Sequence, residues 1–462
     1  MKIRLFLVPV FLLASACSGV FAQPAAGPSS SVLEGYVRQG LSGNLALKQP
    51  RFAFEKSLLA LKEAQGLFLP SAYLDFQYTA AKGGRTIEFP IGDLLNPVYR
   101  TLNQMAGSEN FPTLKNESIQ FLPNDFHTTR VVATQPLLNA EIYFNRKIKR
   151  ELITFQQAEV KAYQRELVKQ LKVAYYQYLR AGKAVEVYQS AMQLVRENLR
   201  LNEKLVKNQV ALSANVARSR AERSKLEAQL LEAENNQRLA AYFFNSLLNQ
   251  PFDTPITADT TLLTAPVESG ATIALGDEGY ATRREEITKL KSALRVNEYQ
   301  VRMNKAYLLP TIGHSVEAGY QGFGFKYDGT QDYFLYGISL RWNLFRGLQN
   351  QFKVRQSLLD RQSLEAQQDA AEQQIQLQVQ SAQYSLNTAA RTLQSTRDAL
   401  VDSEEFFRVT NRRYQEGQSL LIEFLDARNQ LTNAQISRVL AQFQVLIRAA
   451  ELEQATAAYA LD

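Results

Sequence analysis

Tyr333-Phe334-Leu335-Tyr336-Gly337-Ile338-Ser339-Leu340-Arg341-Trp342 is the stretch that decides the fold. Phe334, Tyr336, Ile338, Leu340 and Trp342 alternate with Tyr333, Leu335, Gly337, Ser339 and Arg341. A period of two belongs to a β-strand. About ten residues of it, with one wholly apolar face and aromatics at both ends, match a strand in the wall of a membrane barrel. A soluble, half-buried sheet has the same period, so the rest of the chain must separate the two.

Three further segments behave in the same way. Ile312, Val316, Ala318 and Tyr320 alternate with Ser315, Glu317 and Gln321, and Leu74, Phe76 and Tyr78 with Asp75, Gln77 and Thr79. A fourth, about 126–135, alternates less cleanly. In a barrel, Glu317, Gln321, Ser339 and Arg341 face the lumen, while Phe334, Tyr336, Ile338, Leu340 and Trp342 face lipid. Four strands leave open edges, which hydrocarbon does not tolerate, so closure needs more copies. Two copies make eight strands, a barrel filled by its own side chains; three make twelve and leave a conduit.

The chain repeats once. Leu69-Pro70-Ser71 recurs 240 residues later as Leu309-Pro310-Thr311, each proline closing a helix-period segment and opening an alternating one. Gln135-Pro136-Leu137-Leu138-Asn139-Ala140 matches Trp342-Asn343-Leu344-Phe345-Arg346-Gly347, 207 residues later, so the first half holds 33 more residues between its strands. That excess falls in about 83–124, rich in Gly, Pro and Asn, and predicts a long surface loop. Its counterpart is a short turn at Asp328-Gly329.

After each strand pair comes a long helix pattern. From about 142 to 208 there is no proline, and Val160, Leu167, Ala174, Ala181, Tyr188 and Val195 recur every seven residues beside Leu171, Tyr178, Val185, Met192, Leu199 and Val206. This heptad seam, polar only at Gln164 and Asn202, predicts lengthwise packing against other helices over ~100 Å. The second half repeats it with Val379, Leu386, Leu393, Leu400, Phe407 and Tyr414, and a smaller series from Ile375 to Thr410. Those small residues point to close helix approach or to a face turned partly to water. Returning helices are expected over about 213–248 and 420–460, shorter ones over about 31–66 and 280–307. The organisation predicted is a leader over 1–22, a first repeat over 23–250, a linker and collar over 251–279, and a second repeat over 280–462.

At the start, Lys2 and Arg4 precede an apolar run from Leu5 to Ala16 and then Val20-Phe21-Ala22, the pattern of a secretory signal. In the competing reading, Leu13-Ala14-Ser15-Ala16-Cys17 is a lipobox and Cys17 a lipidated N-terminus, for which Ala14 is a poor residue. Cys17 is the only cysteine. Beyond the leader no run of about 18 apolar residues occurs, so any membrane span is made of strands. The formal charge of +7, or +5 without Lys2 and Arg4, is spread over interleaved acids and bases. That is a solvated helix surface and not a nucleic-acid footprint. Two histidines far apart, His127 and His314, are a poor basis for a transition-metal site.

The order of these motifs, and above all Arg413-Tyr414-Gln415-Glu416-Gly417-Gln418-Ser419-Leu420-Leu421-Ile422-Glu423-Phe424-Leu425-Asp426-Ala427, resembles the outer membrane efflux protein family, the TolC-like channels. The resemblance covers nearly the whole chain after the leader. It implies a homotrimer in which a transmembrane β-barrel continues into a coiled-coil-like α-helical tunnel. That tunnel is closed at its periplasmic end and opened by a periplasmic adaptor and an inner-membrane transporter of the RND, ABC or MFS class. It also implies that Tyr414 belongs to a tether holding the tip shut and that Glu423 and Asp426 ring the aperture. Residues three apart share a helix face, and such a ring favours cations. The bland alternative is two acids placed early in a helix, where its N-terminus favours them. Ser419 and Asn215 stand where better-known members carry an Arg and an acid, which leaves a salt-bridge latch without its partners. No cofactor and no enzymatic activity are expected, since no phosphate loop or nucleophile-base set is present. A secreted fibrous coiled coil without a pore is the rival; it accounts for the heptads and not for the strands.

Overall fold

A computed structural model describes residues 31–259 and 283–461. The leader predicted over 1–22, with Cys17, and the part of the predicted collar from residue 260 onward lie outside the described residues. Two compact units are built from interleaved stretches of the described residues, one from 52–157 and 289–368, the other from 31–51, 158–259, 283–288 and 369–461.

The first unit holds the strands. β1 (Ser71–Thr79) is followed by β2 (Thr86–Phe89), α3 (Ile91–Ala106), β3 (Glu117–Gln120) and β4 (Phe126–Leu138); β5 (Thr311–Phe323) and β6 (Asp332–Arg341) come from the second half. The main sheet is antiparallel in the order β1-β4-β5-β6. Pro70 and Pro310 set its starting points, because proline cannot continue a helix and pushes the residue before it into extended backbone; Leu309 has ψ 141°. Pro136 has no N–H to give the ladder, and the β4–β5 register shifts between Pro136 and Leu138. Asp328 tightens the β5–β6 turn by accepting from the Thr330 N–H at 2.9 Å.

The register sorts the side chains. Asp75, Arg130, Gly319 and Tyr333 form one row, and Tyr73, Val132, Glu317 and Leu335 the next, on the same face. Gln321, Ser339 and Arg341 share that face, whereas Phe334, Tyr336, Ile338 and Leu340 stand exposed on the other. Trp342 is also exposed but lies one residue past the end of β6. β4 departs from clean alternation because His127 and Thr129 occupy the apolar face. There the His127 ring is fully buried, stacked 5.2 Å from Phe325 and bonded to Gln331 Oε1 at 3.0 Å. Among the described residues β1 and β6 each pair on one side only.

The stretch predicted to be loop over 83–124 carries structure of its own, a β2–β3 hairpin around α3. Pro90 and Pro97 mask the helical period in the sequence. Pro90 stands at the N-cap, where no helical N–H is required of it.

The second unit is helical. α1 (Ser31–Gly43) and α2 (Leu45–Gly66) replace the single helix predicted over 31–66. Asn44 breaks it: its Oδ1 accepts from the Leu47 N–H at 3.1 Å, capping α2, and its Nδ2 donates to Leu247 O at 2.9 Å. α4 (Ala140–Lys207) and α7 (Gln349–Gln415) are unbroken; α5 (Ser213–Leu247) and α8 (Leu421–Ala455) return from them, and α6 (Glu285–Lys305) precedes β5; α2, α4, α6 and α7 contribute to both units. Val37, Leu171, Tyr175, Phe244 and Phe443 are the fully buried centre of the largest core. A Cβ on Gly40 would stand 2.4 Å from Leu171 Cδ1, so α1 sits directly on α4. Along α4 the seam residues Val185, Met192, Val195 and Leu199 are buried as a heptad requires. On α7 the small series is mixed: Ile375, Ala389 and Thr410 are buried, whereas Ala382, Thr396 and Ser403 are half-buried.

Candidate functional site: the helix tips and the polar sheet face

Both helical hairpins of the second unit turn through left-handed backbone, at Gln209 (φ 57°) and at Gly417 (φ 75°). Glycine adopts it without strain. The N–H of Val210 closes the first turn on Leu205 O at 2.9 Å and that of Gln418 the second on Arg413 O at 2.8 Å, tying off the last carbonyls of α4 and α7.

Tyr414, in the last turn of α7, reaches across to α4. Its Oη donates to Asn202 Oδ1 at 3.2 Å, and its ring stacks on Phe424 of α8 with centroids 4.9 Å apart. Asn202 Nδ2 in turn donates to Asn198 Oδ1 at 3.0 Å, and Ser219 Oγ of α5 donates to the same atom at 3.1 Å. Asn202 and Ser219 are each 1% exposed. A polar knot of this kind inside an apolar seam fixes register, at a cost in stability. Asn202 was legible as the polar end of the α4 heptads; its partners were not. Asn215, where better-known members carry an acid, is half-buried at the start of α5, and the Tyr414 hydroxyl bonds Asn202.

Glu423 lies in the first turn of α8, where Ser419 Oγ donates to its carboxylate and the Leu420 N–H does so at 3.3 Å. The Ser419 hydroxyl first, then that N–H, hold the Glu423 carboxyl below the ordinary carboxylate range. Asp426 accepts from Gln430 Nε2 at 2.8 Å. Both acids are exposed. Ser419 therefore serves as the partner of Glu423, a short local bond in place of a long-range arginine contact.

One turn on, Arg428 is 1% exposed and pairs with Glu222 of α5. Burial pushes the guanidinium down from its usual range, and Glu222 counteracts this. Arg428 Nε has no hydrogen-bond partner. Nothing in the motif at 413–427 announced this ion pair, because Glu222 comes from the other repeat.

On the sheet, the polar face holds a clasp across three strands. Arg130 Nε bonds Asp75 at 3.0 Å and Arg130 Nη1 bonds Glu317 at 3.0 Å. A Cβ on Gly319 would stand 2.1 Å from Thr129 O and 2.6 Å from Arg130 Cα, so glycine is required where β5 passes Arg130. The clasp joins Glu317 to Asp75, which alternation had set on a polar face, through Arg130, which lies in the strand that alternates less cleanly. Gln321, Ser339 and Arg341 share its face without touching it in the bonds observed.

Residues 280–458 match the sequence model of the family described as "Outer membrane efflux protein". No curated protein matches the chain in sequence. Solved structures do match in fold. The outer-membrane channel OprN is 17% identical with a TM-score of 0.72, covering 92% of this chain and 90% of its own. The outer membrane protein VceC from Vibrio cholerae is 18% identical with a TM-score of 0.71, covering 92% and 95%. The open state of the MtrE outer membrane channel of Neisseria gonorrhoeae is 15% identical with a TM-score of 0.72, covering 92% and 88%.

Proposed function

We propose that the chain is a channel of the outer membrane efflux protein family, whose model matches residues 280–458, and that three copies close their sheets into one twelve-stranded conduit that serves a tripartite efflux system. The chain is an outer-membrane channel protein with a periplasmic helical portion. The observation that carries the trimer is the sheet itself: four strands with an exposed apolar face, a polar face, and two unpaired edges, β1 and β6. Backbone groups on such edges have no partner in hydrocarbon, and closure by identical copies supplies one. The described residues of the first half, 31–250, and of the second, 283–461, act as two repeats. The polar face with Glu317, Gln321, Ser339 and Arg341 lines the lumen, while Phe334, Tyr336, Ile338, Leu340 and Trp342 meet outer-membrane lipid.

In the helical unit, Tyr414, Ser419, Asn215, Glu423 and Asp426 form the periplasmic gate, with Asn202 holding the Tyr414 hydroxyl. The engaged partners are a periplasmic adaptor and an inner-membrane transporter of the RND, ABC or MFS class. Photoreactive side chains at Glu416 and Ser419 test this in intact cells. Capture of an adaptor together with a heat-modifiable trimer in the membrane fraction is expected. A monomer that stays soluble without detergent would overturn the channel, and a trimer that captures no adaptor would overturn the tripartite assignment.

A further inference from the structure

The insertion between β1 and β4 exposes an apolar stripe. Ile91, Leu95, Val98, Leu102 and Met105 of α3 follow the spacing four, three, four, three, and all are exposed, Met105 to 82%. A stripe of that size needs an explanation in a folded protein.

The rotation of α3 that presents the stripe is built in. On its flank, Asn96 and Asn103 each exchange two hydrogen bonds with the backbone of the returning segment. Asn96 pairs with Leu114 at 2.8 Å both ways, and Asn103 with Phe111 at 2.8 and 3.0 Å. Asn116 adds a third fastening by donating to Asp93 at 2.8 Å. At Gly92 a Cβ would stand 2.5 Å from Leu114 O, so strap and helix are in direct contact. With that flank occupied, the stripe turns outward.

The pattern also says what covers it. Four-three spacing is a seam for another helix, with Ile91, Val98 and Met105 at the d positions and Leu95 and Leu102 at the a positions. Leucine at a with β-branched residues at d favours three or four parallel strands over two. A helix lying in a lipid surface instead has a polar face rich in Lys and Arg and aromatic anchors; α3 carries one Arg, one Asp, no Lys and no Trp. The insertion leaves from β1, whose free edge is where the next copy adds under the proposed function.

We infer that the α3 helices of three copies pack along this seam into a parallel three-helix cap on the outer side of the barrel, its occupant being the same helix of the sister chains. This rests on the trimeric channel, and the test separates the two. Single cysteines are placed in the full chain at Val98 and Leu102 on the seam and at Gln104 on the far side, and outer membranes are oxidised. Disulfide-linked dimers from V98C and L102C, at least tenfold over Q104C, are expected from a species that still migrates as a heat-modifiable trimer. A trimer in which the seam cysteines stay unlinked overturns the cap and leaves the channel standing. So does quenching of a fluorophore on M105C by brominated lipid, which would assign the stripe to the membrane. A monomer overturns both.

Discussion

Arg428 shows how much one residue can decide. A buried guanidinium with a single carboxylate partner is held only while that partner remains, and removing one member of such a pair costs about 3–5 kcal/mol. Glu222→Gln is expected to destabilise the α5–α8 contact by that order, read as a lower denaturant midpoint of the purified channel. The double change E222L/R428L should restore most of the loss, since an apolar pair needs no counter-charge. Glu423 makes a pH statement. Its folded pKa is depressed, so its contribution to the cap is present above the unfolded value and is lost as pH falls through the lower folded value. Pepsin cleavage near Leu420 should therefore rise on acidification, and E423Q should remove that dependence.

Helix ends carry the next scale. Asn139, in the first strand-exit motif, accepts from the Glu141 and Ile142 N–H groups at 3.0 and 3.2 Å and so caps α4. N139A should cost about 1 kcal/mol of stability and N139D close to nothing, by denaturant titration. At the other end of α4, Y414F removes the bond to Asn202, worth about 1 kcal/mol. Its expected effect is a longer open time of single channels in planar bilayers; an unchanged open time would remove Tyr414 from the gate. The motif from Arg413 to Ala427 was readable through its resemblance to the outer membrane efflux protein family; the turn at Gly417 and the local cap on α8 came from the structure. The break at Asn44 was not, because one asparagine inside a helical period reads as helix until its long-range partner, Leu247 O, is known.

Across the whole molecule, the sheet is the element that cannot stand alone. Gly319→Ala is predicted to abolish the proposed trimer, because the added carbon has only the Thr129 and Arg130 backbone to displace. Loss should be seen on a non-boiled gel even where helix content by circular dichroism is unchanged. The sequence by itself determined the strands, the heptad helices and the internal repeat, since each rests on periodicity or turn chemistry between residues close in the chain, and the tip motif through its resemblance. Only the tertiary structure decided which partners meet: Tyr414 with Asn202, Arg428 with Glu222, and Arg130 with Asp75 and Glu317. It also set the direction of the α3 seam. The physical reason is common to all four. A side chain's period reports the element it belongs to, whereas its partner depends on how elements distant in sequence are packed.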